Sequence, residues 1–195
     1  MRDRRAFGAW RDLSGEGLVL RRWRPDDRAA LTAGAGDPET ARWVPVAVPF
    51  TDEAARWTLE EQYPRRWVEG TCADLAVVED GQVVGYVALI PRGPRAAPEL
   101  GWWTAPSARG RGVAGRAARL VADWASTLGW TRVEAHVDVD NLGSQRAASK
   151  AGMSREGLLR AAGHDREGRA RDLVLFARVI ETLPDGAPEQ SRSVR

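Results

Sequence analysis

The stretch that most constrains the fold of this 195-residue chain runs from Glu99 to Arg116, with the sequence ELGWWTAPSARGRGVAGR. Its first six residues are largely apolar and are closed by Ala105-Pro106, a pattern typical of a short strand. Glycines at 110, 112 and 115 follow, and from Val113 to Leu128 apolar residues recur at steps of three and four. The sequence therefore predicts a strand, a glycine-rich loop and a helix in direct succession.

A strand, loop and helix in this order suit the binding of an anion. Glycines let the backbone approach a ligand closely, and the free N–H groups at the start of a helix attract negative charge. Arg109, Arg111 and Arg116 add positive charge beside them. No Gly-Lys-Ser/Thr follows the loop, and the βαβ setting of a dinucleotide fingerprint is missing. These residues alone are compatible with two alternatives, a phosphate-binding loop and a simple turn.

Composition narrows the class of protein. The length and the 43% hydrophobic content suit one domain with a real core. No apolar run of eighteen residues and no signal-like start are seen, so we expect a cytoplasmic protein with no membrane partner. The 29 basic and 27 acidic residues are interleaved, which argues against nucleic acid as a partner. Cys72 is expected to be a small buried residue.

His136 and His164 are the only histidines, and with one cysteine they offer no metal-ligand spacing. His136 lies on the polar side of a predicted strand, where a structural or solvent-exposed role is the simpler interpretation. His164 falls in a polar linker between two late strands, where a surface loop is the simpler interpretation. We therefore expect no metal.

Elements are also predicted on both sides of the central stretch. Residues 1–16 lack a clean period and are expected to be an N-terminal extension, and residues 184–195 have the composition of a disordered tail. Pro64 is expected to break or kink the helix that begins at Thr51. The remaining predictions are a strand over Gly17–Trp23, helical segments from Pro25 and from Asp37 to Trp43, strands over 73–78 and 82–90 joined by a hairpin turn at Glu79-Asp80-Gly81, a strand over 133–138, a short helix ended by Gly152, and strands over 154–160 and 171–180.

Several motifs occur in a fixed order. They are Arg109-x-x-Gly112-x-Ala114, Val133-Glu-Ala-His-Val-Asp138 with Asn141-x-x-Ser144, Lys150-Ala-Gly152-Met153, and Glu156-Gly157. Together they resemble the RimJ/RimL branch of the GNAT acetyltransferases over about residues 17–180. The resemblance implies the α/β GNAT acyl-CoA N-acyltransferase fold in a domain over 17–183. Such a fold has a central mixed, mostly antiparallel sheet flanked by helices, with a splayed V-shaped slot.

The resemblance also implies a co-substrate, acetyl-CoA, and no metal. The pantetheine would pair with the open strand edge around Trp103 and Thr104, and the pyrophosphate would lie on the glycine loop. The implied cofactor-binding residues are Trp102, Trp103, Thr104, Arg109, Gly110, Arg111, Gly112, Val113, Ala114, Gly115, Arg116, Asn141 and Ser144.

The sequence leaves alternatives for the catalytic residues. Asn141 and Ser144 suit either helix capping or, by resemblance, contacts with the pantetheine arm and the sulfur. At the position of Ala148, many GNAT enzymes have a tyrosine that protonates the leaving thiolate. Ser144 is the first residue to consider for that role in this chain. For the general base, Glu99 is favoured over Glu156. The alternative role of Glu99 is a polar strand end, and that of Glu156 is a salt bridge to Arg155 or Arg160.

The predicted activity is transfer of an acetyl group from acetyl-CoA to a primary amine. The acceptor is either a protein N-terminal α-amine or a small-molecule amine, and the sequence does not choose between them. A non-catalytic acyl-CoA-binding or regulatory module with the same fold is the alternative. A homodimer is a further expectation from the resemblance.

Overall fold

The computed structural model of the protein describes residue 7 and residues 10–93 and 96–180. The strands are β1 (Leu13–Gly15), β2 (Leu18–Arg22), β3 (Ala73–Glu79), β4 (Gln82–Ile90), β5 (Glu99–Thr104), β6 (Arg132–Asp138), β7 (Ser154–His164) and β8 (Ala170–Val179). The α-helices are α1 (Arg28–Ala35), α2 (Pro38–Trp43), α3 (Asp52–Trp57), α4 (Tyr63–Val68), α5 (Val113–Thr127) and α6 (Leu142–Lys150).

The strands form one eight-stranded sheet in the order β1-β2-β3-β4-β5-β6-β8-β7. All neighbouring pairs are antiparallel except β5 and β6, which are parallel. The expectation of a mixed, mostly antiparallel sheet flanked by helices is therefore confirmed. The sheet begins at Leu13, inside the segment assigned to an extension, while the tail over 184–195 lies outside the described residues.

Local sequence signals explain most of these elements. The β3–β4 hairpin turns on Asp80 and Gly81, whose φ angles are 49° and 76°, the left-handed pair that a tight two-residue hairpin needs. Thr51 caps α3 by accepting a hydrogen bond from Ala54 N at 3.1 Å. Pro64 does not end the helical run. It lies in the first turn of α4, after a π-helical turn over Thr58–Gln62 that joins α3 to α4.

Two apolar cores cover opposite faces of the sheet. One lies under α5 and α6 and includes the inward side chains of β6, namely Val133, Ala135 and Val137. The other lies under α1, α3 and the π-helical turn, and it includes Leu31, Leu59 and Trp103. Since Trp103 belongs to β5, the second core fixes the position of the central strand relative to the N-terminal helices.

A buried ion pair attaches α1 to the sheet. Arg21 of β2 donates to Asp27, just before α1, through Nη1 at 2.7 Å and Nη2 at 2.8 Å. The two side chains are 11% and 9% exposed. Asp27 also accepts a hydrogen bond from Arg24 N at 2.8 Å, so its carboxylate organises the entry into the helix.

Candidate active site

The candidate site is organised by the divergence of β5 and β6. Their ladder consists of one residue pair, Glu99 with Glu134, and Glu134 N donates to Pro98 O at 2.9 Å at the same end. Beyond that pair, residues 100–104 of β5 are paired with β4 alone among the described strands. The edge of β5 that faces β6 is therefore open, and the slot widens toward the carboxyl ends of two parallel strands, where α/β sheets bind ligands.

The glycine loop lies at the wide end of this slot. It follows β5 and leads into α5 through Gly112, whose φ of 75° places it in the left-handed region. A Cβ added to Gly115 would lie 2.8 Å from Lys150 Cβ and 3.0 Å from Ala147 O, so α5 packs directly against α6 here. Gly110, Gly112 and Gly115 contribute no side chains of their own to the cradle at the start of α5, and the free N–H groups of the helix suit a phosphate.

The three arginines of the loop are paired with acids. Arg109 forms an ion pair with Asp37 and donates to Thr40 Oγ1 at 3.2 Å. Arg111 pairs with Glu79, and Arg116 donates to Glu79 Oε1 at 2.8 Å. These contacts attach the loop to the start of α2 and to the end of β3. The sequence predicted arginine charges beside the loop but could not show that carboxylates distant in the chain already bind them.

Lys150 is a cation beside the loop that was not among the cofactor-binding residues predicted from the sequence. A Cβ added to Gly112 would clash with Lys150 Nζ and lie 3.1 Å from Cε, so the lysine chain lies across the loop. No described residue forms an ion pair with Lys150. The motif around Lys150 was visible in the sequence, but its contact with a glycine 38 residues away was not.

The remaining predicted cofactor residues are distributed around the slot. Asn141 caps α6, because its Oδ1 accepts a hydrogen bond from Ser144 N at 3.0 Å, and Ser144 itself is half-buried. Val113 is buried in the core under α5. Trp103 is also buried, against Gly34 of α1, while Trp102 and Thr104 are half-buried. Asn141 and Thr104 thus lie at the carboxyl ends of β6 and β5, on opposite sides of the opening.

A carboxylate and an imidazole lie at the narrow end of the slot. Glu99 Oε2 is 3.4 Å from His136 Nδ1 and also pairs with Arg92. The side chains of Glu99 and His136 are 15% and 23% exposed, on the face of the sheet opposite to α5. Burial lowers the pKa of His136, so this imidazole is neutral near pH 7. From the sequence, only a structural or solvent-exposed role was expected for His136.

Glu156 occupies a different environment. Its Oε1 accepts a hydrogen bond from Arg132 Nη1 at 3.0 Å, and this hydrogen bonding holds the pKa of Glu156 below its usual value. The alternative role given to Glu156, a salt bridge, is observed, but its partner is Arg132 and neither Arg155 nor Arg160, because the sheet brings Arg132 next to β7 through β8. The strand register, which the sequence does not specify, accounts for the difference.

On the face that carries Glu99 and His136, hydrogen bonds join two segments that are distant in the chain. Arg166, in the loop between β7 and β8, donates from Nη2 to Val46 O at 2.8 Å and to Val44 O at 3.2 Å. It also donates from Nε to Ala41 O. The end of α2 and the β7–β8 hairpin are therefore held together beside the slot.

Other expectations concern residues away from the slot. Cys72 is buried as expected, and burial raises the pKa of its thiol. Across residues 10–93 and 96–180, no group of His, Cys, Asp or Glu has the arrangement of a metal site. None of the described helices is long and apolar enough to span a bilayer.

Comparison with known proteins defines the class. The family model for the acetyltransferase (GNAT) domain matches residues 17–154, so the chain belongs to the GNAT family of acetyltransferases. A probable N-acetyltransferase of Bacillus subtilis, YjcK, is 38% identical over 84 residues, and that match covers 42% of this chain and 46% of YjcK, less than half its length. The N-acetyltransferase p20 of Bacillus licheniformis is 26% identical over 85% of this chain and 94% of its own.

Solved structures with the same fold include proteins of the RimJ/RimL branch. RimJ of Mycobacterium smegmatis in complex with CoA-disulfide has a TM-score of 0.75 and 25% identity, covering 86% of this chain and 84% of RimJ. An acetyltransferase structure from T. thermophilus has a TM-score of 0.73 and 28% identity, covering 90% and 93%. A CoA complex of RimL shares the fold, with a TM-score of 0.75 at 18% identity, covering 87% and 98%. The resemblance to RimJ and RimL is confirmed.

Proposed function

We propose that the protein transfers the acetyl group of acetyl-CoA directly to a primary amine. The observation that carries the proposal is the slot between β5 and β6, which has a glycine cradle at its wide end and the Glu99–His136 pair at its narrow end. When bound, acetyl-CoA supplies an acetyl thioester, and its reaction with a protonated amine gives an amide, a free thiol and one released proton.

The residues around the slot suit this co-substrate. The open backbone edge around Trp103 and Thr104 offers unpaired N–H and C=O groups to an extended pantetheine arm. The first N–H groups of α5 are available to a phosphate group, whereas Arg116 N already donates to Gly112 O at 3.2 Å. Arg109, Arg111 and Arg116 hold the loop in this shape through their ion pairs. The amide nitrogen of Asn141 is left for the pantetheine, since its oxygen caps α6.

Glu99 is the group that we assign to take the proton from the acceptor amine. An amine is mostly protonated near pH 7 and must lose a proton before it can react. Glu99 is largely shielded from solvent, and the neutral imidazole of His136 lies beside it and can accept the proton next. Arg92 at the other side of Glu99 is 53% exposed, so water can solvate its guanidinium group when it moves away.

The other two candidates receive different roles. The ion pair with Arg132 and the lowered pKa make Glu156 a weaker base, and we assign it a structural role. Ser144 lies in the first turn of α6, beside the wide end of the slot, and no side-chain hydrogen bond of its hydroxyl is formed within the described residues. This hydroxyl is therefore the group that we assign to pass a proton to the departing sulfur, while it takes up the second proton that the nitrogen loses as the amide forms.

The acceptor groove is proposed to lie on the face that carries Glu99 and His136, beside the α2 end and the β7–β8 hairpin that Arg166 joins. RimJ, RimL and ribosomal-protein acetyltransferases among the similar structures favour a protein N-terminus as the acceptor. A small-molecule amine suits the same chemistry and is the second acceptor class to test.

A turnover screen tests the proposal. Acetyl-CoA is incubated with the protein and with peptides beginning with Ser, Thr, Ala or Met, or with small amines, and the released thiol is measured. We expect turnover with one acceptor class and an acetylated amine in the mass spectrum. Binding of acetyl-CoA without turnover for any amine would instead identify a non-catalytic acyl-CoA-binding module.

Gly112→Val tests the cofactor site separately. Valine would have to adopt the left-handed conformation of Gly112, with a φ of 75°, and its side chain would displace that of Lys150 from the loop. We expect acetyl-CoA binding, measured by calorimetry, to weaken sharply while the far-UV circular dichroism spectrum is retained. Undiminished binding would remove the loop from the proposed site.

A further inference from the structure

One cation beside the glycine loop has no counter-ion among the described residues. Arg109 is paired with Asp37, and Arg111 and Arg116 share Glu79. Lys150, by contrast, forms no ion pair with any residue in the described part of the chain. A positive charge that already has a carboxylate partner gains less from a phosphate than one that does not.

The position of Lys150 points to the same conclusion. Its Cδ, Cε and Nζ all lie within contact distance of the space that a Gly112 side chain would fill, with Cε at 3.1 Å and Cδ at 3.4 Å. Gly112 is the residue immediately before α5, so the ammonium group lies beside the first free N–H groups of that helix. Two features that attract negative charge, a helix N-terminus and an ammonium ion, therefore meet at one point.

The backbone of Lys150 is fixed as well. Arg119 of α5 donates a hydrogen bond to Lys150 O, and Lys150 Cβ would lie 2.8 Å from a Cβ at Gly115. The close approach of α6 to α5 at Gly115 is what brings the lysine over the loop. Its position is thus set by packing between two helices and not by a carboxylate.

We infer that Lys150 binds the pyrophosphate of acetyl-CoA and supplies the positive charge that the loop arginines do not. The inference rests on the proposed function, because it assumes acetyl-CoA in the slot. The pyrophosphate is assigned in preference to the 3′-phosphate because Nζ lies at the start of α5, where the glycine cradle is. The three arginines then act as positioning residues that hold the loop.

Calorimetry with three ligands tests the assignment on the full chain. CoA carries both phosphate groups, dephospho-CoA lacks only the 3′-phosphate, and pantetheine lacks both. Lys150→Met keeps most of the chain that packs on Gly112 and removes the charge. Since hydrogen bonds to charged groups are the strong ones, we expect about a tenfold rise in Kd for CoA and for dephospho-CoA, with no change for pantetheine.

Two further variants serve as controls. Arg65→Met removes an exposed positive charge from α4, where no described acid pairs with it, and should leave all three Kd values unchanged. Lys150→Arg should restore most of the affinity for CoA and dephospho-CoA, which a purely steric effect at Gly112 would not allow.

Each other outcome overturns the inference. A loss confined to CoA would place the lysine on the 3′-phosphate, and equal losses for all three ligands would show a general disturbance of the slot. Unchanged affinity in Lys150→Met would show that the lysine has no part in binding. Failure of the wild-type protein to bind any of the three would instead refute the proposed function.

Discussion

Replacement of Asp27 by Asn is expected to destabilise the protein far more than its position at a helix entry suggests. Asp27 and Arg21 form a two-bond ion pair with side chains that are 9% and 11% exposed. The amide can still accept the hydrogen bond from Arg24 N, but it leaves the guanidinium of Arg21 buried without a negative charge. Breaking a buried pair in this way costs about 3 kcal/mol or more.

An exposed pair supplies the matched control. Arg28 Nε and Asp52 Oδ1 are 3.0 Å apart, but their side chains are 48% and 66% exposed. Water solvates both charges, so Asp52→Asn should cost at most about 1 kcal/mol. Urea denaturation measures both changes in the free energy of unfolding. For a chain of this size, about 3 kcal/mol corresponds to a fall in Tm of roughly 6–12 °C.

The same pair predicts a dependence on pH. Burial raises the pKa of Asp27, but the hydrogen bonds from Arg21 and from Arg24 N outweigh it and hold the pKa below its usual value. A carboxyl group with a lowered folded-state pKa stabilises the fold above its unfolded pKa of about 3.9, and this contribution is lost as the pH falls through the folded value. Asp27→Asn should therefore lose part of the acid-induced drop in stability. If Asp27→Asn and Asp52→Asn cost the same at neutral pH, the reasoning about burial is refuted.

Three further predictions concern the slot. Glu99→Gln should lower kcat by about 10²–10⁴-fold and leave the Kd for acetyl-CoA unchanged, whereas Glu156→Gln should stay active. If steady-state assays show the reverse pattern, Glu156 is the base. Because burial lowers the pKa of His136, kcat/KM should decline only below about pH 6.5. His136→Asn should change this acidic limb of the pH profile. An identical profile would show that His136 does not accept the proton from Glu99. Gly34→Ala should destabilise by about 1–3 kcal/mol because its methyl group would clash with the Trp103 ring, and a more stable variant in urea would contradict this packing.

The central stretch could be predicted from sequence because its signals are local. The short apolar run of β5 closed by Ala105-Pro106, the glycines before α5 and the spacing of apolar residues along α5 all act over a few positions. The hairpin at Asp80-Gly81 and the cap at Thr51 are of the same kind. Each element could therefore be located without knowledge of its neighbours in the sheet.

Features that depend on tertiary contacts were not predicted. Glu79 and Asp37 neutralise the loop arginines from 32 to 72 residues away, and no local pattern marks them for that role. β7 extends to His164, beyond the predicted end at Arg160, because register irregularities at Arg155/Gly157 and at Leu159/Gly163 break the alternation that would identify a strand. β1 has three residues, too few to show a period.

The single pair between β5 and β6 also divides the hydrogen-bonded ladders of the sheet into two units. β1 to β5 are linked by antiparallel ladders to their neighbours, and β6, β8 and β7 form a second set of ladders. Among the described residues, only Glu99 and Glu134 form a ladder pair between the two sets, so backbone amides on either side can exchange with solvent through separate local openings. A ligand that fills the gap with its own hydrogen bonds would couple the two units. Amide protection would then rise in both half-sheets together, at residues far from any atom that the ligand touches.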